Sequence, residues 1–274
     1  MERTSPAHPT TRLARRTWPA ISLAAGVLIA WLALTPPALL DKADYIGYAV
    51  CHRIPGHSFF IAGRQLPLCA RCTGTFGGAM LGIITLTLAG RRRASRFPPG
   101  RVLLVMALFF LAWAFDGLNS YLTFFPQAPH LYEPRNGLRL VTGTFVGLSL
   151  SLLVYPLLNF SLWRSPDPTP VVRGFRELAG LLIVGGLFIL AVLSRYPPLL
   201  YPLALISTLG VLAMLTGLNT VLALVVTRRE NQAVRWHDAL PPLLVGFALS
   251  LLLVGGIDAL RYIVTQGAMQ FPLP

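Results

Sequence analysis

Seven apolar stretches, at 18–34, 74–89, 102–125, 138–158, 178–194, 199–226 and 239–263, follow one another along this chain. Each is close to the about 17–25 residues that carry a helix across the hydrocarbon core of a bilayer. In that medium every backbone N–H and C=O must find its partner within the protein, and helices do this segment by segment. The sequence therefore predicts an all-α, polytopic transmembrane helix bundle of about seven spans. Six and eight are the neighbouring counts. The stretch 74–89 is short and glycine-rich, and 178–194 ends at the turn Ser194-Arg195-Tyr196-Pro197-Pro198.

Composition supports this class and excludes another. The chain is 54% hydrophobic and only 12% charged, where a soluble domain carries about a quarter charged residues. Its formal net charge of +13 comes almost wholly from arginines in short runs beside the apolar stretches, which is a topology signal rather than a nucleic-acid-binding face. With the N-terminus inside, fifteen of the 23 Lys and Arg residues fall on the inner side. The expected topology is thus N-terminus in and C-terminus out, in the inner (plasma) membrane, with the bilayer as the first partner. The first span resembles a secretory signal, but its exit Leu32-Ala33-Leu34-Thr35-Pro36-Pro37 offers no small-x-small cleavage site, which favours a retained helix. The resulting division is a cytoplasmic tail at 1–17, a four-helix membrane unit at 18–158 with an extracytoplasmic loop at 35–73, and a C-terminal unit of about three helices at 159–274.

All three cysteines lie in that loop, as Cys51-His52 and Cys69-Ala70-Arg71-Cys72. Thiolates and an imidazole are the ligand set of tetrahedral zinc and iron sites, and Cys-x2-Cys supplies two ligands from one local turn. Cys51, Cys69 and Cys72 with either His52 or His57 make such a set, Zn2+ first and iron second. Adjacent side chains rarely converge, so His57 competes with His52 for the fourth place. The same sulfurs permit a thiol–disulfide centre. A Cys69/Cys72 pair at a helix N-terminus beside Arg71 is placed to have a lowered thiol pKa, as in quinone-coupled oxidoreductases of the bacterial inner membrane. A structural disulfide is the third reading of these residues.

Polar residues inside a membrane are costly and mark function or helix clamps. Asp116 and Asn119 stand one turn apart near the outer end of the third span, and Asn136 and Arg139 one turn apart where the fourth begins. An Asp–Arg pair below the cysteine loop is the expected product, either a clamp or a polar pocket for a small substrate, a quinone headgroup or a proton. Asp258 and Arg261 repeat the pattern in the last span. Thr73-Gly74-Thr75-Phe76-Gly77-Gly78 and Thr142-Gly143-Thr144-Phe145-Val146-Gly147 form a faint internal repeat, each with an arginine just upstream. Gly74, Gly78, Gly82 and Gly143, Gly147 make small-residue faces suited to close helix packing, within the chain or in a homo-oligomer. There is no P-loop, GxSxG elbow or HExxH, so nucleotide hydrolysis, serine hydrolysis and zincin proteolysis lack support. Solute or ion transport stays open as a third class, and no enzyme class follows from the sequence.

Cys51-His52-Arg53-x-Pro55, Ser58-Phe59 and Pro67-Leu68-Cys69-Ala70-Arg71-Cys72-Thr73-Gly74, followed by Asp116-Gly117-x-Asn119 and Asn136-Gly137-x-Arg139-x3-Gly143, resemble the defining motif of a family of bacterial and archaeal integral membrane proteins known as a domain of unknown function. The resemblance covers about residues 45–150. It implies a helical membrane protein and carries no activity with it. His57 stands where family members commonly have Arg, which argues against a ligand role there shared by the whole family.

Overall fold

The computed structural model describes residues 10–125 and 129–265, with side chains from Trp18 onward. Among the described residues eight α-helices form one bundle: α1 (Thr10–Leu34), α2 (Leu39–Val50), α3 (Ala70–Leu88), α4 (Gly100–Leu122), α5 (Asn136–Leu162), α6 (Phe175–Ser194), α7 (Leu200–Thr227) and α8 (Trp236–Val264). Four short strands punctuate them: β1 (Phe60–Ile61), β2 (Arg64–Gln65), β3 (Ala94–Arg96) and β4 (Asp167–Pro170). The expected tail at 1–17 is helical from Thr10; Arg3 and His8 lie outside the described residues.

Among the described residues five segments are long and apolar enough to cross a membrane alone: α4, α5, α6, Pro197–Thr227 and α8. A sixth is the pair α1 and α2, bent by 107°. The bend has a local cause. Pro36 and Pro37 have no N–H to continue α1, and Lys42 Nζ on α2 donates to Leu32 O at 2.9 Å and Thr35 Oγ1 at 2.8 Å, so one side chain satisfies the end of α1 and fixes α2 across it. Helix α2 lies in what reads as loop from sequence, being shorter than a span.

Helix α3 does not meet the apolarity criterion, and its position explains why it need not. It packs against α5, α6 and α7 in the middle of the bundle, where glycines and threonines face other helices instead of lipid. A Cβ at Gly74 would stand 2.4 Å from Leu140 O, and one at Gly143 2.3 Å from Arg71 O. A Cβ at Gly78 would stand 2.5 Å from Thr144 O, and one at Gly147 2.0 Å from Thr75 O. Helices α3 and α5 thus run parallel with backbones in contact, the small-residue mode of membrane packing. These contacts are reciprocal. Across the Thr-Gly-Thr-Phe repeat Arg71 corresponds to Leu140 and Gly74 to Gly143, and Gly74 meets Leu140 as Gly143 meets Arg71; Gly78 and Thr144 repeat the exchange with Gly147 and Thr75. The repeat is therefore a quasi-two-fold helix pair. After each member comes a short strand, and β3 and β4 pair in parallel. The glycine faces that suggested an oligomer contact are consumed inside the chain.

The bundle has two chemically distinct ends. At one lie the cysteine loop, the N-termini of α3 and α5 and the C-terminus of α8. At the other, Arg93 stacks over Trp163 at 4.2 Å and donates to Val234 O at 3.0 Å, and Arg91 pairs with Glu177 at 2.8 Å.

Gly147→Ala inserts a methyl into the Thr75 carbonyl, and overpacking of this kind costs about 1–3 kcal/mol. Thermal unfolding followed by helical signal in detergent should show a lowered midpoint for it, whereas Gly186→Ala, with open space around its Cβ position, should leave the midpoint unchanged or raise it.

Candidate metal centre

Helix α2 delivers Cys51. It packs so closely on the segment entering α3 that a Cβ on Gly47 would stand 2.0 Å from Pro67 O, which sets the end of α2 beside the start of α3. Cys51 follows the last residue of α2, Cys69 is the N-cap of α3, and Cys72 lies in its first turn. The three sulfurs lie within 4.8 Å of one another, and among the described residues they are the one such group of Cys, His, Asp or Glu donors. Cys51 and Cys69 are buried and Cys72 is half-buried.

The Cys51 sulfur is an acceptor. The backbone N–H of Cys69 donates to it at 3.2 Å and that of Arg53 at 3.5 Å, the latter made possible by the left-handed backbone of Arg53, φ 52°. Hydrogen bonds from the Cys69 and Cys72 thiols hold the Cys51 thiol well below its ordinary range, against the effect of burial. Donating to Cys51 pushes the Cys69 thiol up to about 12. The sequence places the lowered thiol in the Cys69/Cys72 pair; the structure puts it at Cys51 instead, because Cys51 receives hydrogen bonds from both partners and from two backbone amides.

Neither histidine joins the sulfur group. His52 Nδ1 accepts the Ile54 N–H at 3.0 Å, which leaves the proton of the neutral ring on Nε2. His52 meets His57 edge-on at 5.5 Å, and His57 packs on Phe124 at 5.7 Å. Burial, then the Arg139 charge, lowers the His57 pKa to about 4; burial also lowers that of His52. Both rings are neutral at pH 7.

Behind the sulfurs lies a polar layer. Asp116 is almost fully buried and pairs with Arg71, not with Arg139 as the sequence suggests. Gly117 lies alongside the pair, its Cβ position in ordinary contact with the Arg71 guanidinium at 3.6 Å. Arg139 enters through a shared hydroxyl: Arg71 Nη2 donates to Ser120 Oγ at 3.2 Å and Arg139 Nε at 3.3 Å. Arg139 also donates to Asn136 Oδ1 at 2.8 Å, and Asn136 donates to Gly56 O at 3.0 Å, tying α5 to the cysteine loop. Tyr132 OH donates to Asp116 at 2.8 Å, while Asn119 donates to Tyr132 O at 2.8 Å and accepts from Leu131 N at 2.7 Å.

Other supports are invisible in the sequence pattern. Arg53 pairs with Asp44 at 2.8 Å, and Arg64 bridges Asp41 and Asp44. Arg261, on the face of α8 that the sequence couples to Asp258, instead donates to the carbonyls of Tyr48 and Cys51, the latter at 2.8 Å. Ser120 and Tyr132 carry no sequence signal that separates them from their neighbours.

Residues 51–153 match the model of a family described as predicted membrane protein (DUF2085). The matched segment begins at Cys51 and ends within α5, so it contains the three cysteines, Arg71, Asp116, Asn119, Asn136 and Arg139. Helices α1, α2 and α6 to α8 lie outside it. An uncharacterized protein of Methanocaldococcus jannaschii is 31% identical over 108 residues, 39% of this chain and 63% of that protein. The chain thus spans 63% of the length of that relative. An uncharacterized protein of Methanothermobacter thermautotrophicus is 29% identical over 113 residues, 41% of this chain and 91% of that protein. No solved structure matches the chain.

Removing one partner of a buried ion pair costs about 3–5 kcal/mol, because the other charge is stranded. Arg71→Gln and Asp116→Asn should each lower the unfolding midpoint strongly. The double variant should recover much of the loss, a coupling that a double-mutant cycle reads directly.

Proposed function

We propose that Cys51, Cys69 and Cys72 bind a metal ion, Zn2+ first and iron second, on the extracytoplasmic face of the plasma membrane. The observation that carries this reading is the convergence of three sulfurs within 4.8 Å, with one of them accepting two backbone N–H groups. Zn–S bonds of about 2.3 Å in a tetrahedron put sulfurs roughly 3.8 Å apart, a spacing this group reaches with small side-chain adjustment. Amide donation to a ligating sulfur is the kind of outer contact that orients a ligand and tunes the metal. Since neither histidine stands in the sulfur group, the fourth position falls to a non-protein ligand, or to His52 or His57 once its ring turns towards the sulfurs. With a histidine the site is structural, and with an exchangeable ligand it is open to catalysis. Arg71, Asp116, Asn119, Asn136 and Arg139 hold the start of α3 and α5 in register behind it.

A quinone-linked thiol oxidoreductase would use the same sulfurs. That reading needs an activated thiol within Cys69/Cys72, and here Cys69 is buried with its thiol pKa raised. The metal reading takes precedence over redox because three sulfurs converge where a disulfide uses two.

The full chain, purified in detergent without chelator or reductant, should contain about one zinc or iron per molecule, absent from Cys69→Ser. The Cys69 thiol must lose its proton to ligate, so binding releases protons. Affinity measured by chelator competition should therefore tighten from pH 6 to pH 8. Protein without metal whose thiols are paired and reducible would move the assignment to disulfide chemistry.

The orientation has its own test. With the native cysteines replaced by Ser, an impermeant maleimide added to intact cells should label Gly56→Cys, which is exposed in the loop, and should label Arg92→Cys only after permeabilisation.

A further inference from the structure

At the end of the bundle opposite the cysteines, α1, α5, α7 and the first turns of α8 enclose a crevice of about 470 Å3, within the range of about 300–1,000 Å3 typical of small-molecule sites. Its wall is apolar, built from Leu23 of α1, Leu162 of α5, Ala223 and Leu224 of α7 and Val245 of α8. Its mouth is polar, with Arg229, Gln232 and His237.

Three observations define what fits there. The first is charge. Asp238, the acidic group at the mouth, is engaged by the backbone N–H groups of Val234 and Arg235 and by His237. Arg229 is exposed and makes no ion pair among the described residues, so it is the one charged side chain of the mouth left open to a ligand. The second is depth. Trp18 and Trp236 are exposed and directly adjoin the lining residues Pro19 and His237. Exposed tryptophans mark the level of lipid headgroups, so the crevice opens where phosphates lie and runs inward towards acyl chains. The third is backbone chemistry. Pro241 and Pro242 line the crevice and have no N–H to return to the carbonyls of His237 and Asp238. Irregular backbone at membrane depth is tolerated where it borders a cavity or a polar partner.

We propose that this crevice binds one phospholipid of the surrounding bilayer, with its phosphate at Arg229 and an acyl chain along the wall of Leu23, Leu162, Leu224 and Val245. The site is separate from the cysteine cluster and does not depend on the metal reading. An apolar slot whose mouth presents an unpaired cation, its one carboxylate already engaged within the chain, selects an anionic amphiphile over either a neutral lipid or a free anion.

The test is native mass spectrometry of the full chain, delipidated by detergent exchange and titrated with phosphatidylglycerol. One lipid should bind ahead of any others. Arg229→Gln should weaken that first event about tenfold, the effect of losing one charge-assisted hydrogen bond, while Arg92→Gln, at the same end but outside the crevice, should leave it unchanged. Ala223→Trp, which fills the slot, should abolish it with helical content preserved. Diacylglycerol should not substitute, and inorganic phosphate should not compete. Equal first binding by wild type, Arg229→Gln and Ala223→Trp would overturn the proposal. So would displacement by inorganic phosphate, which would mean an anion site without a lipid chain, or equal binding of diacylglycerol, which would mean an apolar slot without a phosphate.

Discussion

The backbone contact between α3 and α5 organises this molecule. Carbonyl oxygens of Arg71, Thr75, Leu140 and Thr144 occupy the places that side chains of Gly143, Gly147, Gly74 and Gly78 would fill. In lipid no hydrophobic force draws helices together, so close approach of this kind supplies the dispersion that holds a bundle. It also fixes where the two helix N-termini stand. Cys69, Cys72 and Arg71 on one helix and Asn136 and Arg139 on the other reach the same surface because their axes are locked at a separation that only glycine permits.

That arrangement explains how an ion pair comes to lie behind a cluster of thiols. Asp116 on α4 meets Arg71, whose neighbour in the chain is Cys72, so the carboxylate holds the residue preceding a sulfur. Ser120 divides its hydroxyl between two guanidinium groups, and Arg139 passes the connection through Asn136 to the loop carbonyl of Gly56. The positions of the sulfurs are thus set by a polar layer that is itself braced by four elements.

The lipid-facing helices were legible because hydrocarbon imposes one requirement, a long apolar run, and α4 to α8 meet it. Helix α2 was hidden by the same rule, being amphipathic and short. Helix α3 begins at Ala70, ahead of the apolar run at Gly74, because its first turn carries the polar and thiol side chains of the site. The convergence of the cysteines could be anticipated from their spacing. The partner of Asp116 could not, since the choice between Arg71 and Arg139 depends on how α3, α4 and α5 pack, which spacing along the chain does not give. Nor could the role of Arg261, whose acceptors are backbone carbonyls some two hundred residues earlier, of which a sequence gives no sign.

Helix α8 joins the two ends of the molecule. Its C-terminal arginine grips the carbonyl of Cys51, while its N-terminal turns, set off by Pro241 and Pro242, border the opposite crevice. Beyond the prolines it is an unbroken rod, Leu243 to Val264, of roughly 33 Å at 1.5 Å per residue. One continuous helix thus supplies both a wall of the crevice and the arginine that holds the carbonyl of Cys51, so neither end can be built without fixing the axis of the other.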